Sequence, residues 1–438
     1  MVDAGYPTPT TTPTFAEATR LWLKVGLISF GGPAAQISIL HEELVERRRW
    51  IDERGFLTAL NFCMLLPGPE AQQLATYMGL KLHGVRGALA AGVLFVLPGA
   101  AVLFALAWLA AAQGSWPPLQ AMFKGMLPIV VALIGAAVWR IGSRTLETPA
   151  AFALAIGAFV GLAVLKIAFP WIIASALAFG FFSDRVGWII APRAHAIEGP
   201  VAAAPADWPR IVRRFAGYTL LFALLWAAPV GLALATAGPR PFTDVAIFFT
   251  QAAFVTFGGA YAVLPFVAQG AVVQYAWLSR PEMVHGLALA ETTPGPLILV
   301  TQYVGFFAGW NAALAGHAGG LSPLAAGALA AAITTWVTFL PCFYFVLVGA
   351  PLVERLAADR RAHAALSAVT AAVVGVIATL AILIAREAFL PAGRFDPLAV
   401  LVAVAAFIAA WRFKIGAPWL VGAGAVYGLA RLWAPHLN

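Results

Sequence analysis

The feature that most restricts this chain is a succession of long apolar runs separated by short clusters of arginine. In the first half the runs fall at about 15–40, 55–80, 86–112, 118–139, 149–165 and 168–183. Apolar residues make up 62% of the 438 positions and charged residues 11%. A soluble chain of this size needs more charge to cover its surface, whereas lipid needs almost none. Runs near the ~20 residues that cross a bilayer therefore predict an all-α integral membrane protein. The net charge of +8 does not point to nucleic acid, because the arginines cluster between the runs, as they do at a cytoplasmic membrane face. Cys63 and Cys342 each sit inside an apolar run and suggest neither a disulfide framework nor a metal site. Residues 1–14, rich in Pro and Thr, do not read as a cleaved signal and are expected to be a disordered tail.

The chain also repeats itself. Phe30-Gly31-Gly32 recurs as Phe257-Gly258-Gly259, Trp50 as Trp277, and Pro67-Gly68-Pro69 as Pro294-Gly295-Pro296, all at one offset of 227. Lys166-Ile167-x-x-Pro170-Trp171 recurs as Lys414-Ile415-x-x-Pro418-Trp419 at an offset of 248, the change being absorbed by an insertion around Asn311–Ser322. Matches in this order predict a duplication, with copies at 15–183 and 242–431. Between them lie a polar linker, 184–214, and one connecting transmembrane helix, 215–237.

Charge sets the expected topology. With the first two runs of each copy read as broken hairpins that enter and leave on one face, cytoplasmic loops hold 18 of the 27 Lys and Arg and external loops hold 6. That bias places the N-terminus in the cytoplasm and the C-terminus outside. Six runs plus one extra helix then turn the second copy upside down, an inverted-topology repeat of the kind whose breaks meet near the membrane midplane.

The breaks carry the candidate chemistry. Gly31-Gly32 stops a helix and Pro33 opens the next. Pro67 ends a helix, Gly68 turns and Pro69 starts another. Gly258-Gly259 and Pro294-Gly295-Pro296 repeat the pattern, so four helix N-termini with unpaired N–H groups and about half a positive charge each are expected at depth, an anion site made of backbone. Ser29, Gln72, Gln73, Thr256, Thr292 and Thr293 flank the breaks and can offer hydroxyl and amide donors. Glu70 and Glu291 are intramembrane carboxylates and the coupling candidates. Arg20 and Lys24, one turn apart on the first half-helix, are placed to attract an anion. Each has a structural reading beside the functional one: Gly and Pro kink packed helices, hydroxyls bond back to helix carbonyls, Glu70 caps its helix, and long cations reach for headgroups. Trp50 and Trp277 read as interfacial anchors.

At these motifs the sequence resembles the chromate ion transporter family. The stretch Ser29 to Ala34, then Glu43 to Trp50, then Leu65 to Gln73 is similar to the family's N-terminal half. Phe254 to Tyr261 and Glu291 to Pro296 are similar to its C-terminal half. The resemblance implies a long, two-domain exporter of chromate in the bacterial cytoplasmic membrane, conferring chromate resistance, with sulfate as a structural analogue. It implies no cofactor, metal, catalytic group or nucleic-acid partner. Ala260 stands where the first copy has Pro33, so the second tip is expected to differ in shape. The residues by themselves support an anion, leaving sulfate, another oxyanion, an organic anion or a passive channel open. A membrane-embedded enzyme is disfavoured, since the runs lack a nucleophile–base set. The oligomeric state stays open too, a homodimer included.

Overall fold

A computed structural model of the chain describes residues 13–186, 208–238, 240–357 and 359–433. Seven helices form the first copy: α1 (Phe15–Ile28), α2 (Gly32–His41), α3 (Glu53–Met64), α4 (Glu70–Ala112), α5 (Pro117–Thr145), α6 (Pro149–Ala163) and α7 (Phe169–Val186). A lone helix, α8 (Trp208–Ala237), follows. The second copy comprises α9 (Phe242–Val255), α10 (Ala260–Gln269), α11 (Arg280–Thr292), α12 (Val300–Leu314), α13 (Pro323–Gly349), the short α14 (Val353–Ala357), α15 (Arg360–Phe389), α16 (Pro397–Arg412) and α17 (Ala417–Trp433). No strand occurs among the described residues. Six helices are long and apolar enough to cross a membrane, and the protein is an all-α, multi-pass membrane protein.

The first two apolar runs of each copy are broken where Gly and Pro fall. α1, α2 and α3 hold 14, 10 and 12 residues, α9, α10 and α11 hold 14, 10 and 13. At about 1.5 Å per residue none spans a bilayer alone. A π-helical turn follows α2 at Glu42–Arg47 and α10 at Gly270–Gln274, so even this local irregularity is repeated. α4 carries a sharp break at His83–Gly84, where Gly84 adopts φ 62° and ψ −153°. Its second-copy counterpart is two separate helices, α12 and α13, and the insertion seen in the sequence is the loop between them.

The copies interleave. α5 packs against α16 and α17, while α15, its counterpart, packs against α6 and α7, and the two also pack on each other. Small residues let these backbones close up: a Cβ on Gly375 would lie 1.9 Å from the Ala155 carbonyl oxygen, one on Gly428 1.9 Å from that of Ala121, and one on Gly125 2.2 Å from that of Gly424.

Three expectations change. Thr14 belongs to the first helix as its N-cap, closing a capping box with Glu17, and Pro13 accepts from the His83 ring, so the ordered chain takes in Pro13 and Thr14 of the expected tail; residues 1–12 lie outside the described residues. α7 runs to Val186 and α8 begins at Trp208, shortening the linker at both ends; the rest of it, 187–207, lies outside the described residues. Trp50 and Trp277 are buried rather than interfacial. Each is tied by its N–H to the helix end before it, at Leu44 and Ala271, and Trp277 stacks on Tyr275 at 4.4 Å.

Candidate functional site

The breaks of one copy bond to the breaks of the other. The N–H of Gly68 donates to the carbonyl of Thr256 (2.7 Å), and the N–H of Gly295 donates to the carbonyl of Ser29 (2.8 Å). Each Pro-Gly-Pro turn thus closes on the residue that precedes the opposite Phe-Gly-Gly. The carbonyls of Ser29 and Thr256 are free to accept because their helices end there, and Gly68 (φ 128°) and Gly295 (φ 91°) can turn their N–H outward only with a backbone that disfavours side chains. Gln36, buried in α2, adds a third strut by donating to both Ser29 O (3.2 Å) and Gly295 O (2.7 Å). Gly99 on α4 lets the Pro294 carbonyl approach, since a Cβ there would lie 1.9 Å from it.

This arrangement divides the glycines in two. Gly68 is packed: a Cβ would meet the Gln73 amide at 2.8 Å and the Cys342 sulfur at 2.9 Å. Gly295 faces Leu299 and the Phe95 carbonyl. Gly32 (φ 79°) and Gly259 (φ 93°) face open space instead, with nothing within 4 Å of a built Cβ. Gly31 (φ 88°) caps α2 and Gly258 (φ 75°) lies near Thr370. Pro33 sits in the first turn of α2. Pro69 is the N-cap of α4 rather than its first residue, and Pro296 leads into a short 3₁₀ turn, Leu297–Leu299, before α12.

The side chains expected to donate to an anion are largely committed elsewhere. Hydroxyl protons of Ser29, Thr256, Thr292 and Thr293 go to the carbonyls of Val25, Ala252, Leu289 and Ala290, each three or four residues back. Such back-bonding satisfies a hydroxyl in an apolar setting. The Gln73 amide donates to Pro67 O (2.7 Å) and the Gln72 amide to Thr76 (3.1 Å), leaving both amide oxygens buried without partners. The donors left at the breaks are backbone: first-turn N–H groups of α2, α4, α10 and the Leu297 turn, which have no carbonyl a turn behind them. Lys24 is not available either. It bonds to the buried Glu43 at 2.6 Å, which also holds Arg47 and Arg48, while Arg20 is exposed.

The two carboxylates differ. Glu70 is the first residue of α4, half-buried, where the positive end of the helix faces it. Glu291 is buried in the last turn of α11 and accepts a 2.5 Å hydrogen bond from Tyr261, in the first turn of α10. The first copy has Ala34 and Met64 at the equivalent positions, so this pair belongs to the second copy alone. Sequence reasoning missed Gln36 and the role of Tyr261; a single amide in an apolar run three residues past Pro33 was the available signal for the first.

A multi-pass helical protein whose two copies bond to one another at matched helix breaks has the build common among transporters. The chain belongs to the chromate transporter family, which matches residues 16–181 and 243–429. It is 31% identical over 376 residues to the chromate transport protein of Pseudomonas aeruginosa, covering 85% of this chain and 82% of that one. It is 28% identical over 373 residues to a probable chromate transport protein of Synechococcus elongatus, covering 85% and 84%. It is 26% identical over 430 residues to the chromate transport protein of Cupriavidus metallidurans, covering 96% and 94%. These relatives are transport proteins, not enzymes, and so is this chain. No solved structure matches it.

Proposed function

We propose that the protein is a secondary transporter that carries chromate out of the bacterial cytoplasm across the inner membrane. The observation that carries this reading is the reciprocal bonding of the two copies' breaks, Gly68 to Thr256 and Gly295 to Ser29, which gathers the helix starts at one locus. The relatives' names supply the substrate, and the backbone N–H groups supply chemistry suited to a small oxyanion. Sulfate, of the same shape and charge, is the second substrate to be compared. The copies are inverted, the N-terminus lies inside, and the open faces of Gly32 and Gly259 mark where the anion approaches. A dianion leaving a cell that is negative inside gains about 4.6 kcal/mol per 100 mV, so export needs no proton to drive it.

Glu291 has a role beyond driving force. A carboxylate beside a bound dianion repels it in a medium of low dielectric, so proton uptake by Glu291 and anion occupancy favour one another. Purified protein in liposomes should move chromate under an imposed potential. Glu291→Gln should retain chromate binding while losing its dependence on pH between about 5 and 8. Glu70→Gln should lower thermal stability instead, with the pH profile kept. Absence of chromate flux in the wild type would remove the substrate assignment. An unchanged pH profile in Glu291→Gln would remove that residue from coupling.

A further inference from the structure

Away from the breaks, a cavity of about 850 Å³ opens among α5, α11, α12, α15, α16 and α17, and none of the candidate break residues lines it. On the topology proposed above, it lies at the external end of the bundle. Three groups in its wall are unusual. Lys124 is the eighth residue of α5, about 10 Å along a membrane-crossing helix; it is exposed and has no hydrogen-bond or ion-pair partner among the described residues. The Tyr303 hydroxyl is fully buried and finds no partner among the described residues. His285 lies face to face with Phe123, the neighbour of Lys124, at 4.1 Å.

An unpaired ammonium at this depth is costly unless it borders water or meets an anion, and such residues mark ion pathways. A lysine on the lipid face would reach for headgroups; Lys124 instead lines the cavity. The acids in the same wall are mostly committed. Glu282 accepts from the Ser279 N–H (2.7 Å) and hydroxyl (2.8 Å), and Asp396 is paired with Arg431. Glu387, in the last turn of α15, is the one acid of the wall without a partner among the described residues. The two uncommitted charges are therefore Lys124 and Glu387, of opposite sign, and Tyr303 lines the same cavity.

We propose that this cavity is a second oxyanion site, an outer station on the transport path, in which Lys124 and the Tyr303 hydroxyl bind a tetrahedral dianion and Glu387 opposes it. The inference rests on the anion-transport reading, and its test separates the two. In proteoliposomes assayed from each face, Lys124→Gln should raise the chromate KM at least tenfold from the cavity face and leave the opposite face within twofold. Lys124→Arg should restore most of it, and Glu387→Gln should lower the KM from that same face. A structural defect would alter both faces alike.

A second readout needs no flux. Both native cysteines are buried, so Lys124→Cys offers a single accessible thiol. A membrane-impermeant thiosulfonate applied outside should modify it, chromate or sulfate should slow the modification, and a cationic reagent should restore the KM where an anionic one does not. Equal KM values in Lys124→Gln and wild type, or modification that neither anion slows, overturns the station. A wild type that moves no chromate while the anions still protect the thiol overturns the substrate assignment and leaves the station standing.

Discussion

At the scale of single residues, the centre of the protein is held by backbone groups and one amide. Gln36 donates to two carbonyls that no other side chain serves, one from each copy. Gln36→Ala leaves the Gly295 carbonyl short of this donor in an apolar setting, where an unmade hydrogen bond costs about 1–3 kcal/mol, while the Ser29 carbonyl keeps the Gly295 N–H. The expected outcome is a lowered unfolding temperature in detergent, with the protein still inserted; an unchanged temperature would show that the strut is dispensable. The hydroxyls beside it teach a different lesson. Ser29 and Thr256 were identifiable from the sequence as a matched pair, but the direction of their protons was not. That direction depends on whether a carbonyl one turn back is free, and here it is.

At the scale of elements, the breaks were legible because Gly and Pro act locally: Gly31-Gly32, Pro67-Gly68-Pro69 and their repeats all interrupt helices where they stand. The boundary between the second and third runs was legible from the polar residues near 81–86, and it falls at His83–Gly84. What the residues there do was not, because the bend depends on contacts from far away. His83 shares a bond with the Pro13 carbonyl and meets the Phe15 ring edge-on at 5.6 Å. Gly84 has no neighbour within 4 Å of a built Cβ, yet its φ and ψ belong to glycine. Gly84→Ala should therefore destabilise by roughly 1–3 kcal/mol through backbone strain alone. Chemical melts of Gly84→Ala against wild type measure this, and equal midpoints would mean that α4 can straighten there. The pairing of Lys24 was not legible for a comparable reason: its partner Glu43 is 19 residues on, brought back by α2.

At the scale of the whole molecule, internal similarity was visible but the exchange of partners between copies was not. α5 and α15 each pack on the other copy's final helices, through glycines such as Gly125 and Gly375 whose neighbours are more than two hundred positions away. No window of sequence contains both sides of such a contact. Neither copy buries its own core alone, so the N-terminal half by itself should be degraded in the membrane and rescued when the C-terminal half is supplied as a separate chain. Pulse-chase of the half with and without its complement measures this; equal lifetimes would show that the first copy is self-sufficient.

The strut from Gln36 to Gly295 has a further consequence, in time rather than in space. Its two ends are 259 residues apart. At roughly 5–20 residues per second the ribosome delivers the second about 13 to 50 seconds after the first. Throughout that interval the first hairpin sits in the bilayer with its Ser29 carbonyl lacking the Gly295 N–H, its Gln36 amide lacking the Gly295 carbonyl, and its polar tip unsheltered. A membrane insertase or chaperone that cradles a half-built hairpin would find its client there, and the length of the wait is set by translation speed. Slower decoding between the two halves lengthens the exposure without changing a single residue of the finished protein.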